Sequence, residues 1–412
     1  MKRKTRITVA LLILIALAAS VTAWYKLYRD EPQPSWIISD RSNTFLNGWV
    51  ARDSNTGIPY WIWLALPRMF PEYIHYPGGY AAFGVSWEQG KEMPAGFAKK
   101  TIGYPRVSGN CALCHAASYR KGPDDAPEVV AALPGHTLDI ERLLTFYQQC
   151  AQDPRFNASE ILAEVSMATK LSMIDSLIYR FVLIPRTRQT LLDKRSLIDP
   201  ALLAHGRDPH SDPLFPDESM KGLATWAKEL RAPKYPLPID KNLAGIGGSI
   251  FEKQCAGCHA SGPGSRIGTV IPLAEIGTDR EQLDRWTKAA NNINAGSGLD
   301  SAHKDMVKNG GYVAPRLDGI WVRGPYLHNG SVPTVSDLLK PQEQRPREFF
   351  SGNDLIDALN VGFVSEVAEE PGRRTFSRYD TRQTGNSNSG HPFGSALSNA
   401  DRSALIEYLK TL

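Results

Sequence analysis

Asn110–Arg120 reads NCALCHAASYR, and Gln254–Gly264 reads QCAGCHASGPG. Both contain Cys-x-x-Cys-His, and the two copies take four of the chain's five cysteines. Thiols at this spacing sit about one helical turn apart, so each can form a thioether with one vinyl group of a haem. The histidine that follows then presents its imidazole to the iron. Cys111 and Cys114 are read as carrying haem 1, with His115 as proximal ligand. Cys255 and Cys258 are read as carrying haem 2, with His259 as proximal ligand. The alternative is a zinc site built from two Cys-x-x-Cys halves. Zinc does not require a histidine at the same offset in each half, and these halves lie far apart in the chain.

A length of 412 residues suits two or three domains, and 42% hydrophobic against 22% charged residues reads as globular. The net charge is only +4, with no long Lys/Arg run beyond the N-terminus, so no nucleic-acid partner is indicated. Cys150, in LLTFYQQCA, reads as an unpaired thiol buried in a helix. The N-terminus begins MKRKTR and continues ITVALLILIALAASVTAW, Ile7 to Trp24, without a charge. That run is long for a signal peptide and long enough to span a bilayer. Val21-Thr22-Ala23 offers a cleavage site, so secretion is the outcome if it is cut and an anchor the outcome if it is not; the anchor is preferred. Either way the positive flank stays in the cytoplasm and the rest is exported. The expected location is the bacterial periplasm, at the inner membrane, which agrees with haem attachment outside the cytoplasm.

The expected fold is mostly α, with two cytochrome c-like haem domains, long loop-rich insertions and a preceding membrane segment. The boundaries are 1–27 for the signal or anchor, 28–235 for the haem 1 domain and 236–412 for the haem 2 domain. Gly57–Gly84 is rich in Trp, Tyr, Pro and Gly, and reads as a layer over a haem edge or the apolar wall of a substrate route. Helices are expected over 139–151, over 157–171 with Asn157 and Glu160 at its start, and over 172–184, buried and stopped by Pro185. The proline-rich stretch 232–242 reads as a linker. The helix over 243–253, with Gly247 and Gly248, should cross a closing helix over 399–412 closely.

The axial position opposite each proximal histidine decides the chemistry. A second His or Met gives an electron-transfer site, and an open position gives a site for oxygen or peroxide. For haem 2 the candidates are His391, in the Gly/Ser/Asn loop TGNSNSGHPFG, then Met306, with His328 as a nearby supporting group; His303 is a further candidate. For haem 1 no residue stands out. His136 is a possible ligand, Phe181 and Met173 a possible apolar distal wall, and Glu160 and Glu164 possible acid/base groups.

The run VRGPYLHNGSVPTVSDLL, Val322 to Leu339, resembles a segment of bacterial di-haem cytochrome c peroxidases and their MauG-type relatives. With YWIWLALPRMFPE, GGYAAFG, KKTIGYPRVSGNCALCH and GNSNSGH, the set is more similar to di-haem cytochromes of the rubber oxygenase A type. The resemblance covers most of the chain from about Gly57 onward. It implies that one haem reacts with peroxide or dioxygen while the other passes electrons. It further implies His391 as the sixth ligand of haem 2 and Phe181 near the distal side of haem 1. A calcium ion between the haems is implied too, on the carbonyls of Arg323 and Pro325 with Asp139 as a third ligand.

The leading expectation is therefore an exported haem-dependent oxidoreductase of peroxidase or dioxygenase type. Its electron partner would be a small redox protein or a quinol-linked donor or acceptor. Trp226 and Trp321 are candidates for the path between the haems. The rival is a non-catalytic membrane-anchored electron carrier with both irons six-coordinate.

Overall fold

The computed structural model describes residues 2–49, 57–88, 90–193, 218–292 and 306–412, so His303 lies outside the described residues. Helix is joined by short antiparallel strand pairs, which makes the architecture mixed rather than mostly α. Loops dense in Gly and Pro cannot sustain long helices, and the chain pairs briefly between them instead.

Helix α1, Lys2–Tyr28, contains a stretch, Ile7–Tyr28, long and apolar enough to cross a membrane. Strand β1, Ile58–Pro59, leads into helix α2, Tyr60–Met69. Strands β2, Phe97–Ile102, and β3, Tyr104–Gly109, complete a three-stranded antiparallel sheet in the order β1-β3-β2. Strands β4, Ala116–Tyr119, and β5, Glu128–Ala131, pair directly after the first Cys-x-x-Cys-His. Much of the aromatic stretch 57–84 forms the core of this half. Trp63 stacks on Tyr80 with ring centres 4.2 Å apart, and its indole N–H donates to Tyr147 Oη at 3.1 Å. Phe70, Phe83, Phe146 and Phe156 are fully buried around that pair.

Helix α3, Ile140–Gln152, starts at Asp139, whose carboxylate caps Arg142 N. Cys150 is buried on its inner face, and burial pushes its thiol well up. Helix α4, Ala158–Ala168, starts at Asn157, whose side chain accepts from Ser159 N and Glu160 N. Helix α5, Met173–Ile178, departs from expectation. It passes through a π-helical turn, Tyr179–Leu183, into helix α6, Ile184–Leu192. Pro185 does not stop it. Proline has no N–H to give the carbonyl four residues back, and the wider turn, with Ile184 N bonded to Tyr179 O, absorbs the deficit. Nor is the segment buried all round: Tyr179 and Leu183 face the core, while Met173 is 78% and Phe181 70% exposed.

The stretch 232–242 packs on the second half. Trp321 Nε1 donates to Pro233 O at 3.1 Å, and Asp240 caps helix α7, Lys241–Gln254. That helix crosses helix α8, Asn399–Leu409, at Gly247. A Cβ there would lie 1.9 Å from Ala404 O, and Phe251 packs on Tyr408 beside it, ring centres 5.0 Å apart. Gly247→Ala must therefore push the helices apart, at a cost of about 1–3 kcal/mol. Gly245 faces open space on the same helix, so Gly245→Ala should be stabilising by about 0.5–1 kcal/mol. Thermal unfolding of the two variants checks this; equal midpoints would remove the close crossing from the account.

Candidate functional site

The first Cys-x-x-Cys-His forms a single helical turn, with His115 N bonded to Cys111 O at 3.0 Å. Buried Asn110 sets it in place. Its Oδ1 accepts from Ala112 N at 2.9 Å and its Nδ2 donates to the carbonyls of Leu46 and Gly48. Behind the turn, Gly135 N donates to Cys114 O at 2.8 Å and Leu133 N to His115 O at 3.2 Å. The second motif repeats the turn, with His259 N on Cys255 O at 3.0 Å. Burial raises the thiols of Cys111 and Cys114, and that of Cys255 to about 11. Among the described residues no three or more His, Cys, Asp or Glu gather around a metal-sized site.

His259 Nδ1 meets Pro315 O at 2.9 Å, which fixes the ring and leaves Nε2 to point away. Across from it stands His391, with ring centres 6.3 Å apart and planes at 41°. Two imidazoles on opposite sides of one metal ion, each bonded at about 2 Å, place their ring centres roughly 6 Å apart. The pair therefore fits bis-histidine ligation of a haem iron, with Cys255 and Cys258 one turn before His259.

His391 is half-buried with Nδ1 shielded from solvent, and desolvation, with His259 adding to it, pulls its pKa down to about 4, so the ring is neutral, as a ligand must be. Its backbone has φ +49°, an uncommon value for a non-glycine residue. The strain is held from two sides. His391 N donates to Ile276 O at 2.7 Å, and a Cβ at neighbouring Gly390 would strike Thr278 N at 2.5 Å. On the other side lies Arg345, which is buried and gives its hydrogen bonds to five carbonyls: Leu338, Lys340, Asn388, Gly390 and His391. Sequence reasoning missed Arg345, because an arginine serving only carbonyls carries no partner pattern. His328 supports the same loop. Its Nδ1 lies 3.3 Å from Thr278 Oγ1 and its ring stacks on Tyr312 at 4.0 Å. Met306 packs with Leu283 and Tyr312 in a small apolar cluster.

Glu164 pairs with Arg68, while Glu160 lies in the first turn of α4. Phe181 points outward. His136 is half-buried, with both ring nitrogens shielded from solvent, and stacks on Phe363, ring centres 3.8 Å apart, at the seam with the second half. Beside it a cavity of about 60 Å³ is lined by Asp139, Arg142 and Arg374. Asp139 already accepts from Arg142 N and, at 2.6 Å, from Ser377 Oγ, in cationic surroundings that disfavour a calcium ligand. Pro325 lines a second cavity together with His136. Nε of Arg323 is buried without a hydrogen bond, and burial lowers that group's pKa. Trp321 is fully buried between Tyr119 and Tyr235, and Trp226 packs on Phe45.

The seam itself is ionic. Arg120, at the end of the strand that leaves the first motif, pairs with Asp354 at 2.8 Å and Glu370 at 2.7 Å. Arg374 adds a 2.7 Å contact to Asp354. Arg120 N also donates to Asp354 O at 2.7 Å, and Ile356 N to Arg120 O at 3.0 Å.

Residues 311–350 match the family described as RoxA-like, cytochrome c-like. The matched stretch includes Pro315, Tyr312, His328 and Arg345. The chain is also similar to two proteins of Sinorhizobium fredii. Uncharacterized protein y4iJ is 30% identical, over 44% of this chain and 41% of that protein. Uncharacterized protein y4iM is 30% identical, over 46% of this chain and 53% of that protein. The chain thus spans about half the length of the relatives it matches. The family match supports a relationship to RoxA-type cytochromes c, and with it haem c and an oxidoreductase or electron-transfer function.

Burial holds His136 neutral, with a pKa of about 4; Asp354 opposes the shift and Arg374 adds to it. In an unfolded chain a histidine titrates near 6.5, as a rough reference. Below that value the unfolded chain binds a proton that the folded one refuses. The stabilising contribution is complete above about 6.5 and is lost as the pH falls towards 4. His136→Phe should flatten the fall in denaturant midpoint between pH 7 and pH 5, by up to about 1.4 kcal/mol per unit. An unchanged slope would show that His136 does not govern acid stability.

Proposed function

We propose that this chain is an exported di-haem c-type cytochrome oxidoreductase, held at the membrane by α1. Cys111, Cys114 and His115 would hold one haem, and Cys255, Cys258, His259 and His391 the other. When bound, the haems supply redox chemistry, one towards peroxide or dioxygen and one in electron relay. The protein's part is positional. Pro315 fixes the tautomer of His259, and Arg345 with Ile276 holds His391 against its backbone strain. The seam of Arg120, Asp354 and Arg374 keeps the two motifs in register.

The observation that carries this reading is an asymmetry. One motif faces a second histidine at 6.3 Å, ring centre to ring centre. Of the groups considered for the other, His136 stacks on Phe363, Glu164 pairs with Arg68 and Phe181 points outward, and we read the position beside His115 as open. The bis-histidine pair taken alone would equally suit an electron carrier, so that remains the second reading. Its partner in either case is a small redox protein or a quinol-linked donor. A calcium ion on the carbonyls of Arg323 and Pro325 belongs to the same proposal, and metal analysis of the purified protein tests it.

The visible spectrum of the dithionite-reduced protein, with and without carbon monoxide, separates the readings. The enzyme reading expects two haems per chain by pyridine haemochrome and a shift of about half of the absorbance. No shift would establish the carrier. His391→Ala should extend the shift to the second haem. Arg345→Leu should do so in part, because it loosens the loop and leaves the imidazole chemically intact. If Arg345→Leu lowers stability without changing ligand access, Arg345 is structural only.

A further inference from the structure

We propose that the outward face of the helical stretch 173–182 lies in the surface of a lipid bilayer, beside the point where α1 leaves it. Met173, Leu177 and Phe181 recur every four residues and form one stripe. They are 78%, 50% and 70% exposed, and Met167, Ile174 and Val182 flank them, also exposed. The helix needs no more burial for its own folding, since Tyr179 and Leu183 already fill the core side. Apolar surface gathered in this way on an otherwise polar protein marks an interaction site.

The position of α1 says which partner covers it. Lys26, in its last turn, pairs with Asp175 at 2.8 Å, in the middle of the striped helix. Leu27 packs so tightly on Gly103 that a Cβ there would come within 2.5 Å of its Cα. Gly103 N then donates to Arg29 O at 2.7 Å, and Glu31 N to Thr101 O at 3.0 Å. No slack separates the apolar helix from the body, so a membrane that holds α1 must touch the elements around its end. Trp24, Tyr25 and Tyr28 are exposed there, as interfacial aromatics are. Exposed Lys170, Arg180 and Arg186 fringe the stripe, which suits anionic headgroups, and the one acid among them, Asp175, is neutralised by Lys26.

The inference rests on the reading of α1 as a membrane anchor, and the test separates the two. The full-length haem-loaded protein is placed in vesicles of phosphatidylcholine and phosphatidylglycerol, carrying a nitroxide at Leu177→Cys, Ile15→Cys or Leu359→Cys. Leu359 is 80% exposed on the second half and serves as the aqueous reference. Collision of each label with oxygen and with a water-soluble nickel chelate is compared by power saturation. The proposal expects an oxygen-to-nickel ratio at Leu177 several-fold above that at Leu359, approaching the value at Ile15. A Leu177 label that matches Leu359 while Ile15 lies in hydrocarbon overturns the proposal and leaves the anchor standing. A Leu177 label shielded from both reagents and broadened by a neighbouring label assigns the stripe to a second copy of the chain, and also overturns it. An aqueous value at Ile15 removes the anchor and the docking surface together.

Discussion

Arg120 is a guanidinium sealed at the junction of the two halves, 2% exposed, and it cannot give up its proton to escape the cost of burial. It must be met by carboxylates, and those come from Asp354 and Glu370, more than two hundred residues further on. Breaking a buried pair by removing one partner costs about 3–5 kcal/mol, whereas a solvent-screened pair such as Arg382 with Asp380 contributes far less. Apolar packing at the seam would tolerate sliding. A charge that needs two carboxylates within hydrogen-bonding distance does not. The strand that leaves the first Cys-x-x-Cys-His is thereby tied to one loop of the second half, and the separation of the two motifs follows from that tie.

The same logic operates at Arg345, with a different partner. Its hydrogen bonds go to carbonyls rather than carboxylates, so it acts as a rivet for backbone that forms no regular structure. The loop before α8 has no helix or sheet to satisfy its carbonyls, and one planar five-donor group gathers several of them. That economy allows a residue with φ +49° to stand firmly opposite His259. A lysine could not replace it, since three donors on a flexible stem cannot reach carbonyls from Leu338 to His391.

What the sequence disclosed was what is local. The two Cys-x-x-Cys-His turns, the cap at Asn157, and the glycine crossing at Gly247 each depend on residues a few positions apart or on a fixed steric need. His391 was legible as a residue on a pliant loop before a closing helix. Arg345 and Arg120 were not, because their partners lie tens to hundreds of positions away and nothing in the chain marks them. The stretch 172–184 misled for another reason. A helix that is apolar nearly all round looks the same whether its second face meets protein or lipid. Only its place beside the end of α1 distinguishes the two. The aromatic stretch 57–84 was visible as unusual, but composition cannot tell a core from the wall of a site.

Among the described residues, the two motifs differ in what their supporting bonds hold. Near His259 the chain spends an uncommon backbone angle, a buried arginine, a serving threonine and a stacked histidine to keep one imidazole in place. A protein that needed only to fill a coordination position would not require such reinforcement on one side alone. Near His115 the described bonds hold the turn itself, through Asn110 and the backbone of 133–135; within the proposed reading the opposite side is left to other occupants. A rigid, doubly ligated centre changes little in geometry when an electron arrives or leaves, which suits relay. A centre held firmly from one side only suits exchange of a small ligand. Within the proposed reading, that division of labour is written in the backbone around each site.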